Sequence, residues 1–113
     1  MVEKNKQLFH DKVVVITGAS SGLGFRIARE FIKENANLSI CARRLYKLKK
    51  IYKGKAKVFF QKVDISDEEA IKKFIKKTVK IFGKIDILIN NAGIAQPSKI
   101  ENIDYKDLKK TFE

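Results

Sequence analysis

Short apolar runs alternate with amphipathic helical stretches, which predicts an α/β chain built on a doubly wound parallel sheet. Three observations carry that expectation. Val13-Val14-Val15-Ile16 is a β-branched run of the kind a strand needs when both its faces are buried. It leads straight into Thr17-Gly18-Ala19-Ser20-Ser21-Gly22-Leu23-Gly24, a turn rich in glycine. Leu23, Ile27, Ala28, Phe31 and Ile32 then recur at helical spacing and give one apolar face. Crossovers between parallel strands are right-handed, and four strands in the order 3-2-1-4 would set the switch between the first and fourth strands beside the glycine turn.

The other elements follow in order. Asn35-Ala36-Asn37 reads as a turn, Leu38-Ser39-Ile40-Cys41 as the second strand, and Leu45 to Tyr52 as a short basic helix that Gly54 ends. Val58-Phe59-Phe60-Gln61-Lys62-Val63 forms the third strand. Ser66 and Glu69 have the spacing of a capping box. The helix they open carries Ala70, Ile71, Phe74, Ile75, Thr78, Val79 and Phe82 on one side, and Gly83 stops it. Ile85-Asp86-Ile87-Leu88-Ile89 is the fourth strand, and Asp104 to Phe112 reads as the start of a last helix.

Strand, glycine turn and helix N-terminus together make an anion site. Glycine lets backbone N–H groups approach a phosphate closely, and the helix dipole favours negative charge there. A turn that merely needs glycine flexibility is the bland alternative. Ligands in such sheets bind at the carboxyl ends of the strands, and each motif named below follows a strand.

The spacing T-G-x-x-x-G-x-G differs from the usual dinucleotide fingerprint G-x-G-x-x-G. Together with Asn90-Asn91-Ala92-Gly93 it resembles the short-chain dehydrogenase/reductase family, over nearly the whole chain from Lys12 onward. The resemblance implies a Rossmann-like fold and an oxidoreductase that moves a hydride between a nicotinamide nucleotide and a carbonyl or alcohol. Gly18 would permit the tight turn, the backbone near Ser21, Gly22 and Leu23 would hold the pyrophosphate, and Gly24 would let the helix pack on the sheet. In the family the first asparagine, here Asn90, ties its strand end to neighbouring backbone. The small Ala92-Gly93 pair lets the nicotinamide ribose approach.

The end of the second strand bears on which nucleotide is held. An NAD site usually places an acid there, about twenty residues after the glycines. This chain has Ala42, Arg43 and Arg44 instead. Arg43 is suited to bidentate contact with a 2′-phosphate, so NADP is expected ahead of NAD. Ser20 or Ser21 would add a hydroxyl, while Arg44 also reads as an ordinary surface cation. Asp64 matches the family position that accepts from the adenine amino group, with Ile65 beside it. The competing reading places Asp64 in the acid cluster that opens the next helix.

Family members use a downstream serine and a Tyr-x-x-x-Lys pair, the tyrosine handling the proton and the lysine lowering its pKa. Tyr46…Lys50 and Tyr105…Lys109 match that spacing, but both fall at the wrong distance from Asn90-Asn91-Ala92-Gly93 and read as chance matches in a lysine-rich chain. No catalytic residue is assigned. The expectation is therefore one cofactor-binding domain over residues 1–113, the N-terminal half of a longer reductase, with the substrate-specifying part absent. A non-catalytic dinucleotide binder that pairs with another subunit is the alternative. An unpaired fourth strand would be an open sheet edge, so association into a homo-oligomer, or poor folding, is expected of the isolated chain.

Composition is consistent with this reading. The chain has 113 residues, 44% hydrophobic, with a formal net charge of +12. Lysines cluster from Lys47 to Lys57 and from Lys72 to Lys84. The second group interleaves with Ile71, Phe74, Ile75 and Val79 as the wet side of a helix, and no stacking aromatics accompany the charge. Nucleic-acid binding is therefore not expected, though the field would help draw in an anionic cofactor. No signal peptide or membrane-length run is present, which suggests a cytoplasmic protein. Cys41 is the sole cysteine and falls in a strand, where it reads as a small buried hydrophobe. His10 stands alone, and no metal site is expected.

Overall fold

The computed structural model describes residues 8–20 and 22–91. Its elements are β1 (Val13–Thr17), α1 (Gly22–Lys33), β2 (Asn37–Ala42), α2 (Leu45–Tyr52), β3 (Val58–Lys62), α3 (Glu68–Phe82) and β4 (Ile87–Asn90). The strands form one parallel sheet in the order β3-β2-β1-β4. That is the expected order, and it makes β1 central.

Centrality explains the composition of β1. Strand side chains alternate between faces, and Val13 to Ile16 are 0% exposed on both. Val14 and Ile16 join Leu38, Ile40, Ala28, Leu48 and Tyr52 in one core layer, beneath α1 and α2. Val15 and Cys41 join Val63, Ile71, Phe74 and Ile75 in the other, beneath α3. The sheet is thus covered on both faces, as a doubly wound fold requires. Phe9, ahead of β1, packs edge-on to Phe31 with ring centroids 5.0 Å apart.

Several boundaries differ from the expected ones for local reasons. Asn37 is the first residue of β2, paired with Val13, rather than part of the preceding turn. The turn is made by Asn35, at φ 59°. β4 starts at Ile87 rather than Ile85 because Asp86 is occupied as a clasp. Its backbone N–H donates to the Val13 carbonyl at 2.9 Å, and its carboxylate accepts the Val13 N–H at 2.8 Å. The capping box does not form. Asp67 caps α3 by accepting the Ala70 N–H, while Ser66 turns back to Asp64. Gly83 ends α3 in the left-handed region as expected, its N–H donating to the Val79 carbonyl. One polar contact crosses the α3 face, where the buried Ser39 and Thr78 hydroxyls meet and Thr78 also donates to the Phe74 carbonyl. The expected last helix lies outside the described residues.

Candidate cofactor-binding site

Parallel pairing sets Thr17, the end of β1, beside Cys41 on one side and Asn90 on the other. Everything that follows these residues emerges at the same edge of the sheet. The Gly18 N–H extends the ladder by one bond, to the Cys41 carbonyl at 2.8 Å. Gly18 then takes φ 71° and Gly22 φ 61°, conformations that side chains other than hydrogen rarely tolerate. α1 begins at Gly22 with no acidic residue in its first turn, so no carboxylate of that turn offsets the positive end of its dipole.

Gly24 has a different reason to be glycine. A Cβ built there would lie 2.5 Å from the Gly18 oxygen, 2.6 Å from Asn91 Nδ2 and 3.1 Å from Ala19 Cα. The first turn of α1 therefore rests directly on the loop it caps. By contrast, a Cβ on Gly22 would meet nothing within 4 Å among the described residues, so its glycine follows from its positive φ and not from crowding.

β4 latches onto this loop through two asparagines. Thr17 Oγ1 donates to Asn90 Oδ1 at 2.9 Å, and Asn91 Nδ2 donates to the Gly18 carbonyl at 3.0 Å. Among the described residues, the side-chain tie to backbone is made by Asn91, where the resemblance pointed to Asn90. The two are neighbours of the same residue type, and only the Thr17–Asn90 register decides which reaches the loop. Tyr52 is the other residue that sequence reasoning missed. Its hydroxyl, from the last turn of α2, donates to the Ala19 carbonyl.

At the end of β2, Ala42 is buried while Arg43 and Arg44 are exposed. Arg44 is the extended residue ahead of α2, and its carbonyl accepts from Lys47 and Leu48. The Val63 N–H donates to the Ala42 carbonyl at 3.0 Å, so Asp64 follows β3 at the same edge of the sheet, within the field of Arg43. Asp64 Oδ1 accepts both the hydroxyl (2.7 Å) and the N–H (3.0 Å) of Ser66. These bonds, with the positive charge of Arg43, hold its carboxyl below the usual range. Ile65 is half-buried against the α3-side core.

The structure therefore gathers Gly18, Ser20, Gly22, Leu23, Gly24, Arg43, Arg44, Asp64, Ile65 and Asn90 at the carboxyl ends of the strands. Leu23 is 62% exposed there. Ser21, Ala92 and Gly93 lie outside the described residues, as do Tyr105 and Lys109. Tyr46 and Lys50 sit on α2, both exposed. Burial pushes the Cys41 thiol up to about 12, so it behaves as core. No helix among the described residues is long and apolar enough to cross a membrane.

A family model described as short chain dehydrogenase matches residues 12–113. The chain is 44% identical over 96 residues to 11-beta-hydroxysteroid dehydrogenase-like 3 of Arabidopsis thaliana, covering 80% of this chain and 31% of that protein. It is 43% identical over 88 residues to an 11-beta-hydroxysteroid dehydrogenase of Pinus massoniana, covering 74% and 25%. Among solved structures, a short chain dehydrogenase/reductase of Burkholderia phymatum in complex with NAD aligns with TM-score 0.68 at 26% identity, covering 71% of this chain and 30% of that one. A 3-ketoacyl-(acyl-carrier-protein) reductase of Brucella melitensis complexed with NADH aligns with TM-score 0.68 at 28% identity, covering 84% and 43%. The chain spans a quarter to a third of the length of these curated relatives. It belongs to the short-chain dehydrogenase family.

Proposed function

We propose that this chain is the dinucleotide-binding part of an NADP(H)-dependent oxidoreductase acting on a carbonyl or alcohol. The observation that carries the reading is the juxtaposition of two features at one edge of the sheet. One is a glycine turn at an acid-free helix N-terminus. The other is a β2 end where a buried Ala42 gives way to exposed arginines rather than to a carboxylate. The residues fit a nicotinamide nucleotide: positive-φ glycines frame the turn, and no described residue lies within 4 Å of a Cβ built on Gly22.

Backbone N–H groups at Gly22 and Leu23 would hold the pyrophosphate, aided by the dipole of α1. Arg43 would bind a 2′-phosphate through its fork of donors, and no carboxylate at that strand end would repel it. Asp64 keeps one oxygen, Oδ2, outside its bonds to Ser66 and would accept from the adenine amino group. Asn91 and Asn90 keep the loop pinned to β4. A bound nucleotide would supply the hydride donor or acceptor. The names of the relatives, hydroxysteroid dehydrogenases, agree with a secondary alcohol or ketone as substrate. A homo-oligomeric state and a cytoplasmic location complete the reading.

Titration of NADPH and NADH into the wild-type chain and Arg43→Ala tests it. Each charge-assisted contact contributes roughly 1.5–3 kcal/mol, so wild type should prefer NADPH by at least about tenfold, and R43A should lose most of that preference. Equal affinities in wild type would remove the NADP assignment, and no binding of either would remove the reading. NADPH binding without carbonyl turnover, in a chain extended beyond Glu113, would favour the non-catalytic alternative.

A further inference from the structure

Tyr52 closes α2, yet its hydroxyl reaches across 33 residues of sequence to the Ala19 carbonyl. The residue is 1% exposed and lies in the core layer with Ile16, Ala19 and Leu48. Burial pushes the hydroxyl up to about 12, so it remains a proton donor at physiological pH. Its partner belongs to the glycine turn itself, between Gly18 and Gly22.

A trans peptide is planar, and its N–H points opposite to its carbonyl. Holding the Ala19 carbonyl towards α2 therefore turns the Ser20 N–H away from α2, out of the apolar layer. A flipped peptide would present a carbonyl lone pair where an amide hydrogen now stands. Such a flip would change ψ of Ala19 and φ of Ser20, the two soft dihedrals that flank the peptide.

Building on the dinucleotide reading above, we propose that Tyr52 is a positioning residue for pyrophosphate binding. Its hydroxyl holds the Ala19–Ser20 peptide in the orientation that offers an N–H, rather than a C=O, to the nucleotide. Without the hydroxyl, the Ala19 carbonyl loses a donor inside the core, and rotation of the peptide relieves that loss at the expense of the anion site.

Tyr52→Phe keeps the ring and removes one oxygen. In the full chain, NADPH is titrated by its fluorescence and adenosine, which has no phosphate, by ligand-observed NMR. Amide exchange at Ser20 is followed without nucleotide. The expected result is NADPH binding about tenfold weaker, adenosine binding unchanged and slower exchange at Ser20, whose N–H the flip turns inward. A residue that only supports the core would weaken both ligands together, and that outcome overturns the proposal. So does a variant matching wild type in NADPH affinity. If wild type itself fails to bind NADPH, the dinucleotide reading falls and takes this one with it.

Discussion

Gly24→Ala sets two physical effects against each other. By helix propensity alone, alanine in the first turn of α1 should stabilise the chain by about 1 kcal/mol. The packing predicts the opposite sign. The added methyl would stand 2.5 Å from the Gly18 oxygen and 2.6 Å from Asn91 Nδ2, well inside the separation of about 3.5–4.0 Å at which carbon contacts are favourable. The nearest neighbour is a backbone carbonyl, which cannot swing aside, and the next is the Asn91 side-chain amide that bonds it. Either α1 lifts from the loop or the Asn91–Gly18 bond breaks. Overpacking of this kind costs about 1–3 kcal/mol, and the lost hydrogen bond about 1 kcal/mol more. After the gain in propensity, the net loss is about 1–3 kcal/mol. Urea unfolding of wild type and G24A, followed by circular dichroism, measures it, and NADPH titration should show binding weakened at least about tenfold because the loop has moved. A G24A midpoint at or above that of wild type, with affinity unchanged, would refute the close approach of α1 to the turn.

Asp86→Ala should destabilise the chain by about 1 kcal/mol, a figure kept low because the carboxylate is partly solvated, since it removes the acceptor of the Val13 N–H that clasps β4 to β1; urea unfolding checks this, and Asp86→Asn should recover part of the loss. Stability should also fall on acidification. Asp86, Asp64 and Asp11 are each held below the ordinary carboxylate value of 3.8, chiefly by hydrogen bonds from Val13, Ser66 and Lys57 respectively. Their contribution is therefore full above that value and lost as pH falls through the lower folded values. Unfolding midpoints measured from neutral pH downwards should decline there, and a midpoint rising over the same interval would contradict the assignment.

Much of the fold was legible because burial constrains composition on both faces at once. Val13 to Ile16 could be read as a central strand since a central parallel strand leaves no face for polar residues, and Gly83 could be read as a stop because α3 ends in a conformation that suits glycine. Choices between chemically equivalent neighbours were less legible. Ser66 and Asp67 are both capable caps, and Asp67 serves because Asp64 already holds Ser66. Asn90 and Asn91 are alike in sequence, and their division of labour follows from a one-residue register against Thr17. Tyr52 could not be read at all, since its bond to Ala19 depends on how α2 docks over the sheet, which no local pattern encodes.

We infer that a dinucleotide's phosphates would sit where β1 passes into α1. Mapping backbone amide shifts of the isotopically labelled chain on addition of NADPH tests that location directly. The largest changes should fall at Gly18, Ala19, Ser20, Gly22, Leu23 and Gly24, with a second set around Arg43. Changes centred instead on the lysine-lined face of α3, with the glycine turn unmoved, would contradict it.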